Sequence, residues 1–175
     1  MILETERLLI RKFEETDFER LFLLDSNPEV MKYIGVAPLS EPHESIKVIK
    51  MIQQQYVDNG IGRLAVIEKE TGLLIGWSGL KLLTEEINGY KDIYDLGYRF
   101  LPEYWGKGYA FEAAKASLDY GFHTLKIDTV YAHAHSENTG SNHILKKLGF
   151  EKTGEFTEPD GICFWYEIKS ENYSL

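Results

Sequence analysis

The sequence predicts a mixed α/β fold, with antiparallel hairpin strands first and a strand-helix-strand-helix unit after them, and three observations carry that prediction. Arg63 to Glu68 and Leu73 to Leu83 are apolar, β-rich runs separated by Glu70-Thr71-Gly72, the pattern of a hairpin. Ala110, Ala113, Ala114, Ser117, Leu118, Gly121 and Phe122 fall at i, i+3, i+4, i+7, i+8, i+11 and i+12, a helical stripe of mostly small residues that can lie close to a sheet. Thr129 to His135 then reads as a strand and Thr139 to Leu148 as a helix, with Gly149 as its left-handed stop.

The remaining elements follow in order. Arg7 to Phe13 alternates and predicts a strand; Asp17 to Leu24, with Thr16 as candidate N-cap, predicts a short helix. Pro28 suits the first turn of another helix. Glu41 to Val57 sets Ile46, Ile49, Ile52 and Tyr56 at helical spacing until Asp58-Asn59-Gly60 ends the run. After the hairpin a further strand runs from Asp92 to Leu101, and Phe150 to Phe156 and Ile162 to Ile168 close the chain as strands. In the Asp92 to Leu101 strand, Tyr94, Leu96, Tyr98 and Phe100 share one face, and Asp95, Gly97 and Arg99 the other. The 175 residues are expected to form one domain, residues 1–175, with no repeat, linker or low-complexity tract.

Composition narrows the function classes. The longest uncharged apolar-rich run, Thr71 to Leu80, falls short of the ~20 residues that span a bilayer. The N-terminus carries Glu4, Glu6 and Arg7 where an export signal would have an apolar core. Cys163 is the single cysteine, so no intramolecular disulfide forms, and a cytoplasmic location is the expectation. A net charge of −9 argues against nucleic acid as a partner. From Gly106 to Lys147, however, five Lys face four acids, leaving that stretch at +1 and the rest at −10. Such a division suits a cationic substrate beside an anionic ligand, or acidity that serves only solubility.

Gly106-Lys107-Gly108 lies between a strand and a helix whose first turn offers unpaired N–H groups and the positive end of its dipole. Glycine lets the backbone approach an anion without an intervening Cβ, so the loop suits phosphate. It lacks the third glycine of a dinucleotide fingerprint and the Gly-Lys-Ser/Thr of a Walker loop.

Four segments together resemble the GNAT superfamily, and within it the ribosomal-protein N-acetyltransferase (RimL-like) branch. They are Thr5-Glu6-Arg7-Leu8-Leu9-Ile10-Arg11; Asp95-Leu96-Gly97-Tyr98; Pro102-Glu103-Tyr104-Trp105-Gly106-Lys107-Gly108-Tyr109-Ala110; and Asn138-Thr139-Gly140-Ser141 with Lys147-Leu148-Gly149-Phe150. The resemblance implies a mostly antiparallel twisted sheet of about seven strands, splayed between the fourth and fifth and flanked by about four helices. It also implies an acetyltransferase that moves acetyl from acetyl-CoA, a co-substrate, to a primary amine on a protein N-terminus or a small cationic molecule. Under it, Gly106, Lys107, Gly108, Tyr109 and Ala110 wrap the coenzyme A pyrophosphate, and Phe100 and Leu101 pair with the pantetheine arm as if it were a strand. The family's Gln or Arg before the glycines is Trp105 in this chain. A non-catalytic acyl-CoA sensor of the same fold is the alternative.

Acetyl transfer to an amine needs a group to take a proton, a donor to polarise the thioester carbonyl, and stabilisation of the thiolate. Asp95 stands where the branch often has Glu, and is either the base or an orienting carboxylate; Glu103 is its rival. A backbone amide near Phe100 is expected to polarise the carbonyl. Ser141, at i with Ile144, Leu145 and Leu148 at i+3, i+4 and i+7, either meets the thiolate or caps backbone at the helix start. Asn138 is an N-cap, a pantetheine contact, or both. The tyrosine many relatives use as acid would fall at Leu145. His133 and His135 share a strand face near His143, yet no cysteine or carboxylate cluster completes a metal set, and no metal is expected. Cys163, between Ile162 and Phe164, reads as a buried structural thiol. Trp77, Tyr98, Tyr104 and Trp165 either line an acceptor pocket or fill the core. Nothing in the sequence reports the oligomeric state.

Overall fold

Leu8 and Ile10 are fully buried while Leu9 and Arg11 turn outward, the period of two that the sequence shows after Arg7. In the computed structural model, which describes residues 1–174, this strand, β2 (Leu8–Arg11), pairs with β1 (Ile2–Glu4). Seven strands were expected, and β1 is an eighth: an edge strand of three residues, too short to carry a periodic signal. The hairpin β3 (Leu64–Glu68) and β4 (Leu74–Leu83), then β5 (Ile93–Phe100), β6 (Thr129–His135), β7 (Glu151–Glu158) and β8 (Gly161–Lys169) complete one sheet. Its order is β1-β2-β3-β4-β5-β6-β8-β7, antiparallel throughout except β5 beside β6. A parallel neighbour needs a crossover, and α4 (Tyr109–Asp119) supplies it.

Three helices fill the stretch between β2 and β3. The first, α1 (Phe18–Asp25), begins on Asp17 and not on Thr16. The chain enters through a 3₁₀ turn, Glu15–Asp17, in which the Asp17 carboxylate accepts the Glu14 N–H at 2.8 Å and both Arg11 Nη atoms at 2.8 and 2.9 Å. Next, α2 (Pro28–Met31) carries Pro28 in its first turn, with Asn27 accepting the Glu29 N–H at 2.9 Å. The long α3 (Pro42–Asn59) is stopped by Gly60 and buries Ser45, Ile49, Ile52 and Tyr56, so Ser45 takes the inner place expected of Ile46. The last helix, α5 (Thr139–Lys147), ends before Gly149 as the sequence predicts.

Adjacent residues of β4 show that helices cover both faces of the sheet. Ser78 meets Ser117 of α4 at 3.3 Å, whereas Trp77 lies across from Arg99, which pairs with Asp25 of α1. The functional region therefore has an α4 side and an α1 side. Among the described residues no helix is long and apolar enough to cross a membrane.

Candidate active site

On the α4 side the glycine loop is shaped by backbone conformations that L side chains resist. Gly106 (φ 71°) and Gly108 (φ 82°) are both left-handed, and Gly108 is the N-cap of α4. No side chain caps this helix, so the first-turn N–H groups from Tyr109 onward have neither a cap nor an intrahelical partner. The buried Tyr109 side chain points away and donates its hydroxyl to Glu68, so residue 109 offers the loop only its backbone. Arg7 fixes the loop from the β1-β2 turn. Its Nη1 donates to Lys107 O at 2.8 Å, its Nε to Glu112 at 2.7 Å, and its guanidinium lies 4.2 Å from the Tyr109 ring centre. Thr5 and the Arg7 N–H also bond Glu112, so the Thr5-Glu6-Arg7 segment clamps loop and helix together.

The sheet opens next to this loop. β5 and β6 pair only at Tyr94 with Val130 and Asp95 with Tyr131, although β5 continues to Phe100 and β6 to His135. The splay expected between the fourth and fifth strands is thus between β5 and β6, displaced in count by β1. Alternate residues of a strand direct their N–H and C=O to opposite neighbours. Leu101 donates its N–H to Ile75 O at 3.0 Å, so the odd residues face β4 and the groups of Leu96, Tyr98 and Phe100 face the gap. This corrects the strand-like pairing expected of Leu101, whose N–H is already bound within the sheet. Phe100 faces the gap, with the Trp105 indole donating to its carbonyl at 2.8 Å.

Two hydroxyls meet on the α4 side of the gap. Tyr98 Oη lies 3.0 Å from Ser141 Oγ and donates to Ser141 O at 3.1 Å, and burial pushes the phenol above its ordinary range. Ser141 is half-buried on the same side of α5 as Leu145 and Leu148, and Asn142 is buried beside them. Asn142 can be buried because it is satisfied: it donates to His135 O and Asn138 O at 3.0 and 2.9 Å, and accepts from Tyr166 at 2.6 Å. Asn138 is the N-cap, accepting the Ser141 N–H at 3.2 Å.

On the α1 side, Arg63 lies flat across the sheet. Nη1 donates to Gly79 O and Asp95 O, both at 2.7 Å, and Nη2 binds Asp95 Oδ2. Residue 97 must be small for this, because a Cβ on Gly97 would stand 2.7 Å from the Arg63 Cζ. Asp95 is 3% exposed. Burial acts to raise its carboxyl, but Arg63 and His133 outweigh burial and hold it below the ordinary value. Trp77 is flanked by Arg63 and Arg99 at 5.3 and 4.9 Å, and Arg99 pairs with Asp25 at 2.7 Å. His133 Nδ1 is 3.6 Å from Asp95 Oδ1, with its ring against Trp165 and Phe156. His135 is buried, with Nδ1 accepting the Glu137 N–H at 3.1 Å. That bond leaves Nε2 as the donor to Asp160 O at 3.1 Å, which ties the β7-β8 turn to β6.

These parts line one cleft of ≈ 380 Å³ that runs from Ser141, through the gap, to Glu158 and Asp160 at the β7-β8 turn, with Tyr33 and Val36 on its outer wall. Among the described residues neither Glu158 nor Asp160 has an ion-pair partner. No group of three or more His, Cys, Asp or Glu side chains among the described residues converges as a metal site. Burial pushes the Cys163 thiol up to about 11, which leaves little thiolate for nucleophilic work.

A sheet opened beside a glycine-led helix start has counterparts among known proteins. The acetyltransferase (GNAT) domain family matches residues 7–151. The chain belongs to the GNAT acetyltransferase family. It is 38% identical to the uncharacterized N-acetyltransferase p20 of Bacillus licheniformis over 153 residues, 87% of this chain and 83% of that protein. It is 32% identical to the spermidine N(1)-acetyltransferase of Escherichia coli K12 over 146 residues, 83% of this chain and 74% of the relative. Its fold superposes on a GNAT-family acetyltransferase from Bacillus anthracis with a TM-score of 0.82 at 30% identity, covering 98% and 99% of the two chains. It is an acetyl-CoA-dependent acetyltransferase.

Within this acetyltransferase, Gly106 to Ala110 form the helix start, Phe100 faces the gap, and Asp95, Asn138 and Ser141 line the cleft. Lys107 is exposed, its ammonium 5.9 Å from the Tyr104 ring centre. Glu103 is exposed in the 3₁₀ turn Pro102–Tyr104 and does not line the cleft. Of the four aromatics weighed as pocket walls, Trp77 and Tyr98 line it, while Trp165 is buried at 1% exposure. Arg7 and Arg63 were missed. Their positions in the opening motif and next to the hairpin were visible, but their contacts lie far along the chain.

Proposed function

We propose that this enzyme transfers acetyl from acetyl-CoA to a small amine that carries further positive charge. The observation that carries the reading is the cleft at the opened sheet: the Tyr98 and Ser141 hydroxyls lie at one end, and Glu158 and Asp160, without ion-pair partners among the described residues, lie at the other, while the uncapped start of α4 follows from the end of β5. The N–H groups of Gly106 to Ala110 hold the pyrophosphate, adding the helix dipole to hydrogen bonding. Pantetheine lies along the gap-facing edge of β5 at Tyr98 and Phe100, with the Asn138 amide nitrogen beside it. An N–H on that edge polarises the thioester carbonyl, and the Tyr98 and Ser141 hydroxyls meet the departing sulfur. The amine enters on the α1 side, drawn by the acidic rim of Glu158 and Asp160.

A cleft of ≈ 380 Å³ suits a flexible small amine, and a net charge of −9 favours its approach. Similarity to a spermidine acetyltransferase supports the same class. The test is thiol release from acetyl-CoA with spermidine, putrescine, glucosamine and an alanyl-peptide amide. Turnover with the first two and little with the peptide is expected. Peptide as the preferred acceptor would move the reading to protein N-termini, and no turnover with any of them would overturn it.

A further inference from the structure

Acetyl transfer requires a group in the cleft to take the amine proton. Asp95 is in the cleft, but Arg63 occupies Oδ2 and the peptide oxygen of the same residue, so the carboxylate is held in its charged form and is a weak proton acceptor. Among the described residues its other oxygen, Oδ1, has no hydrogen-bond partner, and His133 Nδ1 lies 3.6 Å from it. His133 stands two residues beyond Tyr131, the last residue of β6 paired with β5, and so flanks the opening of the gap on its α1 side. Gly97, on β5, is covered on this face by the Arg63 guanidinium. The imidazole is fixed from behind by Trp165, its ring plane tilted 12° to the indole, and from the side by the Phe156 edge. His133 lines the cleft, and 33% of its side chain is exposed. With Nδ1 turned to Asp95, Nε2 on the far side of the ring is the free nitrogen.

We infer that His133 Nε2 is the general base of acetyl transfer and that Asp95 is the residue that positions it. The inference rests on the reading of the α1 side as the amine site. In the step, the amine lone pair forms the C–N bond and the C–S bond breaks with its electrons going to sulfur. The proton lost from nitrogen goes to His133 Nε2, which returns it to solvent; the thiolate is stabilised by hydrogen bonds from the Tyr98 and Ser141 hydroxyls and takes its proton from solvent. The imidazolium is stabilised by Asp95, whose negative charge Arg63 orients through Oδ2 while leaving Oδ1 toward the ring. The 3.6 Å separation is longer than a direct hydrogen bond, as such contacts often are before substrate is bound. Besides Asp95, the titratable groups around the ring's cleft are Arg63 and Arg99 on the sheet floor, Tyr98 on β5, Tyr33 beyond α2, His135 on the same strand, Glu158 and Asp160 at the β7-β8 turn, and Cys163 on β8. Of these, His135 has both nitrogens engaged, the two arginines are paired with aspartates and Cys163 holds its proton, so none of the four competes as base.

The test is steady-state acetylation of spermidine by wild type, His133→Gln and His133→Ala, with rates followed from pH 5.5 to 9 and with added free imidazole. General-base catalysis contributes about 100-fold or more, so both variants are expected to lose about that much kcat. KM for acetyl-CoA should stay near the wild-type value, which also reports that the fold is intact. The fall of kcat on the acid side, present in wild type, should vanish in the variants, and imidazole should restore His133→Ala in proportion to its concentration. Asp95→Asn should lower kcat without restoring on imidazole addition. Variants with wild-type kcat and an unchanged acid limb would overturn the inference while leaving the proposed function standing. A wild type inactive on every amine of the panel would overturn both.

Discussion

Replacing Arg7 with Ala tests whether the opening motif serves the coenzyme site at a distance of a hundred residues. The substitution removes the bond to Lys107 O at 2.8 Å, the ion pair with Glu112 at 2.7 Å and the guanidinium above Tyr109 at 4.2 Å. The hydrogen bond contributes about 1 kcal/mol. The ion pair is 39% and 19% exposed on its two sides and is taken at about 0.5 kcal/mol. The cation-π contact adds about 0.5 kcal/mol. Together these give about 2 kcal/mol, which is about 30-fold in an equilibrium constant. Because Lys107 and Gly108 are exposed, the loss falls chiefly on the order of the loop and less on the core. KM for acetyl-CoA should therefore rise about 10-fold to 30-fold with kcat changed less than about twofold. Arg7→Lys should fall between, since it keeps the charge and loses the fork. Coenzyme A affinity by calorimetry and steady-state kinetics read the effect. An Arg7→Ala enzyme with unchanged KM and normal thermal stability would refute the clamp.

Three further outcomes follow from the same geometry. Asp95→Asn leaves the Arg63 charge buried without its counterion and should cost about 3 kcal/mol, read as a fall in Tm of roughly 10 °C. Because the Asp95 carboxyl is held below its ordinary value, its stabilisation is present above the unfolded value near ~4 and is lost as pH falls through the lower folded value. Asp95→Asn should accordingly flatten the loss of Tm below about pH 4, and an unchanged acid profile would contradict the pairing. Tyr98→Phe removes the hydroxyl beside Ser141 and should lower kcat about tenfold or more while KM for acetyl-CoA holds, whereas equal activity would assign the sulfur to Ser141 alone. Glu158→Gln with Asp160→Asn should raise KM for spermidine and reduce its dependence on salt; the same salt response as wild type would remove the acidic rim from acceptor binding.

What the sequence could show depended on how local each signal was. The glycine loop was legible because left-handed backbone at Gly106 and Gly108 calls for glycine and a 3.6-residue stripe follows at once. The sheet was legible except for β1, whose three residues carry no period. The buried place of Asn142 on α5 was not legible, because apolar periodicity does not count a buried amide whose every partner is supplied. The roles of Phe100 and Leu101 differ by parity, which is fixed by the β4-β5 register that pairs Gly76 with Phe100. Arg63 was hidden because its place depends on two glycines and an aspartate on other strands, 16 to 34 residues away in sequence. His133 was weighed as a metal ligand against a packed or cleft-lining histidine, and its proximity to Asp95 was not legible because it exists only where β5 and β6 begin to part.

The central claim is that one cleft carries coenzyme A to an amine through the opened sheet. Backbone amide NMR during titration with coenzyme A, followed by spermidine, tests it most directly. The account predicts that coenzyme A shifts Gly108, Tyr109 and Ala110 together with Leu96, Tyr98 and Phe100, and that spermidine then shifts residues around Asp95, His133 and Asp160. Coenzyme A shifts that avoid the loop, or spermidine shifts away from the α1 side, would contradict it.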